Sequence, residues 1–144
     1  MKRILLSVIL ALFAVGAAVA EDRPITVTQL PMKAQIFLKD YFSEVEVVLV
    51  SQDDDLLHKD YEVALKNGAR IEFNADGEWQ EGAVKCGMVP SAIVPMEIMK
   101  YVGEHYSGEH IMRIERDRRG FEVYLSNGLE LQFDRQYRLI DIDD

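Results

Sequence analysis

Four sets of side chains in this chain are of types capable of chemistry. Asp53-Asp54-Asp55, His58 and Asp60 form a dense run of donors, the oxygen-rich kind of set that calcium takes. The run lacks the alternating spacing and the glycine of a calcium loop, so it also reads as a solvated acidic turn. His105 and His110 stand beside Glu104 and Glu109 but are not spaced i, i+4, as a helical zinc pair must be. The lone Cys86 excludes an intramolecular disulfide and reads as an inert half-buried thiol, or as one that pairs between chains. Glu62 and Glu122 recur at equivalent places, yet a catalytic carboxylate pair needs unequal environments that push the two pKa values apart. No Gly-Lys-Ser/Thr phosphate loop, Gly-x-Ser-x-Gly elbow or paired-cysteine motif occurs. The expected class is therefore a binding protein, with no catalytic residue, no metal and no cofactor assigned. A metal or small-ligand carrier built on the Asp53 to Asp60 loop is the alternative.

The elements that must position these groups repeat. Leu30-Pro31-Met32, opening a helical stretch to Phe42, returns as Val94-Pro95-Met96 running to Tyr106. Tyr61-Glu62-Val63-Ala64-Leu65-Lys66-Asn67-Gly68, with Ile71 and Phe73, returns as Phe121-Glu122-Val123-Tyr124-Leu125-Ser126-Asn127-Gly128, with Leu131 and Phe133. The offset is 64 in the first part and 60 in the second, so the first copy holds four extra residues around Asp53 to Lys59. A repeat of this size buries its apolar face poorly alone, so the copies are expected to pack into one body.

In each copy the period changes from helical to alternating. Ala34, Leu38 and Phe42 fall at four-residue spacing, as do Ile98, Val102 and Tyr106, and each stripe predicts one buried helix face. Pro31 and Pro95 stand at the helix starts, where a missing amide hydrogen is harmless. First strands are expected at about Glu46 to Gln52 and Ile111 to Arg116, and fourth strands from Trp79 to Ala83 and Leu139 to Ile142. The second and third strands meet at Asn67-Gly68 and Asn127-Gly128. A two-residue hairpin there would set Val63 against Glu72 and mix the faces. A three-residue loop with a left-handed glycine instead pairs Val63 with Ile71, Tyr61 with Phe73, Val123 with Leu131 and Phe121 with Phe133. That register puts the apolar set on one side. The other side then carries Glu62, Ala64, Arg70 and Glu72 in the first copy and Glu122, Tyr124, Glu130 and Gln132 in the second. The predicted fold is α+β: a tandem repeat of a helix plus a four-stranded antiparallel meander, joined into one larger sheet with both helices on one face.

The mostly acidic face reads either as a plain solvated surface or as a platform for a protein or peptide. On the platform reading the protein-binding residues are Glu62, Arg70, Glu72, Trp79, Glu122, Tyr124, Glu130 and Gln132, with Tyr124 and Trp79 as aromatic anchors.

The N-terminus supplies an address. Lys2-Arg3, an apolar run from Ile4 to Val15, and Ala18-Val19-Ala20 have the order of a secretory signal peptide cleaved before Glu21. The expected division is residues 1–20 as signal, 21–84 as first repeat, 85–94 as connection and 95–144 as second repeat. Without residues 1–20, which contain Lys2, Arg3 and no acid, 14 basic side chains face 25 acidic ones, a net charge of −11. An acidic body repels phosphate, which argues against nucleic acid, and no membrane association is expected after cleavage. The mature chain is expected to be periplasmic or secreted.

Together the signal, the doubled proline-started helix, Tyr-Glu-Val-x-Leu-x-Asn-Gly-x-x-Ile-x-Phe and the Asp76-Gly77 turn resemble the PepSY-like family of β-lactamase-inhibitor-like periplasmic proteins, from about Thr28 to Asp143. The resemblance implies the tandem sheet with helices on one side. Its motif is structural and brings no catalytic residues with it. Two places depart from it: the glycine missing at Gln136-Tyr137 and the longer Asp53 to Lys59 loop. The expected partner is an unidentified exported or envelope protein or peptide.

Overall fold

The computed structural model describes residues 22–54 and 58–144. The expected signal peptide and Asp55 of the acidic loop lie outside the described residues. Among the described residues no helix is long and apolar enough to cross a membrane.

Each copy begins with a helix, α1 at Met32–Phe42 and α2 at Met96–His105. Pro31 and Pro95 precede them, and their carbonyls accept the first turn from the amides of Ala34 and Ile98. The predicted stripes are the buried faces: Ala34, Leu38 and Phe42 in α1, Ile98 and Val102 in α2. Tyr106 lies just beyond α2 and is half-buried.

The strands are β1 (Arg23–Ile25), β2 (Val47–Asp54), β3 (Lys59–Leu65), β4 (Arg70–Phe73), β5 (Trp79–Ala83), β6 (Ile111–Arg116), β7 (Gly120–Leu125), β8 (Glu130–Asp134) and β9 (Leu139–Asp143). They make one sheet in the order of the chain, every pair antiparallel. The two expected meanders are β2–β5 and β6–β9, and β5 pairs with β6, so the sheet runs unbroken across the copies. The additional strand is β1, which pairs Ile25 with Val50. Its three residues contain a proline and are too few to show an alternating pattern.

The hairpins take the bulged register. Val63 faces Ile71, Tyr61 faces Phe73, Val123 faces Leu131 and Phe121 faces Phe133. The loops close through Leu65 and Leu125 amides donating to the Ala69 and Leu129 carbonyls, with Gly68 at φ 85° and Gly128 at φ 90°. The Asn67 and Asn127 side chains accept from the amides of residues 69 and 129, which explains why asparagine precedes glycine in both turns.

Further bulges also repeat, between Val47 and Leu49 and between Ile111 and Arg113, then between Glu72 and Phe73 and between Gln132 and Phe133. Two buried clusters result, one per copy, with Phe73 and Phe133 fully buried beneath Phe37 of α1 and Tyr101 of α2 in edge-on contacts of 5.4 and 5.5 Å. Phe37, Trp79 and Val84 pack against both clusters and weld them together.

Candidate functional site

The sheet face turned away from the helices gathers charge because antiparallel pairing aligns the alternate residues of neighbouring strands. Glu62 lies opposite Glu72, Glu72 opposite Glu81, Glu81 opposite Glu115 and Glu115 opposite Glu122. Five glutamates on five adjacent strands form a transverse row, continued by Gln132 and Asp141. A parallel row beside it runs Ala64, Arg70, Ala83, Arg113, Tyr124 and Glu130. A shallow depression of about 370 Å³ on this face includes Glu72, Glu81, Glu115, Glu122 and Gln132 in its lining.

The arginines neutralise part of the row. Arg70 pairs with Glu62, its Nη2 at 2.5 Å and its Nε at 3.1 Å from Glu62 Oε1. Arg113 bridges Glu81, at 2.6 Å, and Glu115. The guanidinium of Arg113 also lies 4.6 Å from the centre of the Tyr124 ring, and the Tyr124 hydroxyl donates to Glu122 at 2.5 Å. Glu72, at the middle of the first copy's share, is left among the described residues without an ion pair. Burial, and next the Glu62 carboxylate, push the Glu72 carboxyl above its ordinary range. Burial raises Glu115 as well, against the pull of Arg113. Glu130 is raised and Glu122 lowered by the hydrogen bond between their carboxyl groups. Burial and the bond to Glu122 raise the Tyr124 phenol, so it stays protonated as a donor.

The structure brings Glu62, Arg70, Glu72, Glu122, Tyr124, Glu130 and Gln132 together on this face. Trp79 is not with them. The bulge between Glu72 and Phe73 sets Glu81 opposite Glu72 but Trp79 opposite Phe73, so Trp79 turns to the helix side, where its ring lies 6.5 Å from that of Phe37. A plain alternation from Glu81 back to Trp79 would have kept both on the open face. Arg113 and Glu115 escaped the sequence reading because their placement needs the β5–β6 pairing, which no hairpin signal announces, and Glu81 because the bulge between Glu72 and Phe73 sets its register.

The described metal-competent residues do not converge on a single point. Asp53 faces Asp60 and Asp54 faces Lys59 across β2 and β3, while Asp54 accepts from Gln52 at 2.6 Å. His105 stacks on Tyr101, ring centres 4.1 Å apart, and its Nδ1 is 3.0 Å from the Tyr101 carbonyl. The His110 amide donates to the Ser126 hydroxyl. Among the described residues, no three His, Cys, Asp or Glu side chains converge as a metal site. Cys86 is exposed rather than half-buried.

Fold and face define a class: a duplicated helix-and-meander protein that presents one uncovered acidic sheet. The chain belongs to the family described as "Putative beta-lactamase-inhibitor-like, PepSY-like", whose model matches residues 19–70 and 59–141. It is 46% identical to a solved structure described as a "putative calcium-regulated periplasmic protein" of Bacteroides thetaiotaomicron, with a TM-score of 0.84, covering 85% of this chain and 97% of that one. A "putative periplasmic protein" of Bacteroides vulgatus is 43% identical with a TM-score of 0.83, covering 90% of this chain and 100% of that one. A second periplasmic protein of that organism is 36% identical, with a TM-score of 0.82 over 86% of this chain and 100% of that one. No curated protein matches. These relatives are described as periplasmic, one of the two addresses the N-terminus predicts, and the protein is periplasmic or secreted.

Proposed function

We propose that this protein is a non-catalytic periplasmic binding module that takes a basic, extended segment of another exported protein on its open sheet face and so modulates or inhibits it. The observation that carries the reading is the transverse glutamate row with Glu72 unpaired inside it. Like charges directly opposite on paired strands cost stability, so a row of five in a chain this acidic is a feature that a binding role explains and folding does not. With strands about 4.8 Å apart, the row spans about 19 Å, the length of roughly six extended residues. Tyr124, held by Arg113 and Glu122, adds a rigid amphipathic surface of the kind that dominates binding energy at interfaces.

The test is affinity capture from a periplasmic extract with the mature chain, run beside a Glu72→Lys, Tyr124→Ala variant whose melting temperature is measured in parallel. Retention of a protein by the parent and not by an equally folded variant supports the reading. Retention of the same set by both refutes it.

A second reading is favoured by one fact, the description of a 46% identical relative as calcium-regulated. On that reading calcium meets the chain at the Asp53–Asp60 end of β2 and β3, where Asp22, Glu62 and Glu72 line the same hollow. Calcium that binds only the folded state must raise the melting temperature, so a flat calcium titration removes this reading.

A further inference from the structure

On the helix side of the sheet, an open cleft of about 450 Å³ lies between the two copies. The first copy contributes Phe37 and Tyr41 of α1 and Trp79 of β5, and the second contributes Arg116 of β6, Phe121 of β7 and Tyr137 of the β8–β9 turn, with the exposed Glu97 of α2 on the rim. The rings form two walls: Phe37 lies 4.8 Å from Tyr41 and 6.5 Å from Trp79, and Phe121 lies 5.4 Å from Tyr137, centre to centre. Arg116 stands at the junction, its guanidinium carbon 4.0 Å from the centre of the Trp79 ring and its Nε donating to the Trp79 carbonyl at 2.7 Å.

Two observations set this cleft apart from ordinary packing. The first is charge. Arg113 and Arg116 are the half-buried arginines, and Arg113 is paired with two glutamates, whereas no carboxylate among the described residues forms an ion pair with Arg116. Burial holds the Arg116 guanidinium below its ordinary value against the more distant pull of Glu78, and it remains a cation at neutral pH. A half-buried cation with one hydrogen bond and one aromatic face satisfied retains donors for an anion. The second is the break in the repeat. The turn at Asn74 to Glu78 places Gly77 at φ 83°, and its counterpart places Tyr137 at φ 63°. A non-glycine residue in the left-handed region is strained, because its Cβ crowds the following carbonyl. The turn itself does not require that strain, because glycine makes the same turn in the first copy. What the tyrosine adds is a ring against Phe121 on the cleft wall.

We propose that this cleft binds a small amphipathic carboxylate, its apolar body on the aromatic walls and its carboxylate on Arg116. The volume falls within the range of small-molecule sites, roughly 300–1,000 Å³. A neutral apolar ligand would bury the guanidinium further without pairing it, and an ammonium ligand, although drawn to exposed Glu97 on the rim, would face half-buried Arg116 with like charge. Arginine presents a planar fork that matches a carboxylate in two parallel hydrogen bonds. Phe37, Tyr41, Trp79 and Tyr137 border only the cleft, whereas Arg116 and Phe121 also reach the edge of the depression on the glutamate face. The tryptophan signal and the Tyr137→Gly variant therefore report on the cleft separately from protein binding at the row.

Trp79 is the single tryptophan of the chain, so its fluorescence reports directly on the cleft. The probes are decanoate below its micelle concentration and 3-phenylpropionate, with decylammonium as the charge-reversed control. The expected result is a saturable change in tryptophan emission with at least one carboxylate and none with decylammonium. Arg116→Gln is expected to weaken that response at least tenfold. Tyr137→Gly restores the residue that the first copy uses, keeps the turn, and is expected to weaken binding while the chain stays folded by circular dichroism. Absence of a saturable response to both carboxylates, an equal response to decylammonium, or unchanged binding by folded Arg116→Gln or Tyr137→Gly overturns the proposal.

Discussion

Replacing Glu72 with glutamine should stabilise the protein, which few changes to a charged surface residue do. Glu72 stands directly opposite Glu62 and Glu81, and Arg70, its nearest source of relief, is already bound to Glu62. A like-charge pair directly opposite on adjacent strands costs about 0.2–1 kcal/mol, so two such pairs, less the attraction of Arg70, leave a gain of about 0.5–1 kcal/mol. For a domain of this size that raises the melting temperature by about 2–5 °C. The sign with pH follows from the raised carboxyl. A folded-state value above the unfolded one means that the folded state holds the proton more tightly, so stability falls as pH rises through that window and the whole penalty is present at neutral pH. Glu72→Gln should therefore melt higher than the parent at about pH 7 in low salt. The gain should shrink at about 0.5 M NaCl, where the screening length is only a few ångströms, and fall away on acidification as the raised Glu72 carboxyl takes up its proton. Thermal unfolding followed by circular dichroism under these conditions decides it. A variant no more stable than the parent at neutral pH, or a gain that survives both acid and salt, refutes the account of the row as a folding cost.

Three further outcomes follow from the packing. Gly120→Ala should lower stability by about 2–4 kcal/mol, read as the urea midpoint, because Gly120 has φ 150° and an added Cβ would collide with the Phe133 carbonyl and come within 2.8 Å of the Asp134 carbonyl carbon. Phe73→Ala should cost about 3–5 kcal/mol, and hydrogen exchange should accelerate in β6 to β9 as well, since β5–β6 pairing and the shared residues Phe37, Trp79 and Val84 couple the copies. Protection unchanged in the second copy would show that the two sheets open separately. Exposed Cys86 should react stoichiometrically with a thiol reagent in the native state, and a thiol that becomes accessible only in denaturant would contradict its placement.

What the sequence determined by itself was local. Helical stripes at Ala34, Leu38 and Phe42, the alternation through Tyr61 and Val63, and the Asn-Gly turns state their own geometry within a dozen residues, because side-chain period and turn chemistry act between near neighbours. The duplication then let one copy check the other, which is why hairpin registers and the open-face positions of Glu62, Glu72, Glu122 and Tyr124 were legible. Tertiary structure alone decided the rest. The β5–β6 pairing joins residues thirty or more apart with no turn to announce it, and it is this pairing that continues the first copy's row, ending at Glu81, into Glu115 and Glu122 of the second. The bulge before Phe73 is a mismatch between two strands, invisible in either one, and it carries Trp79 from the expected acidic face to the aromatic cleft beside Arg116. Strand β1, too short to show a period, exists only because β2 offers it an edge. Where the determining force was a contact between distant segments, the residues were visible in the chain but their companions were not.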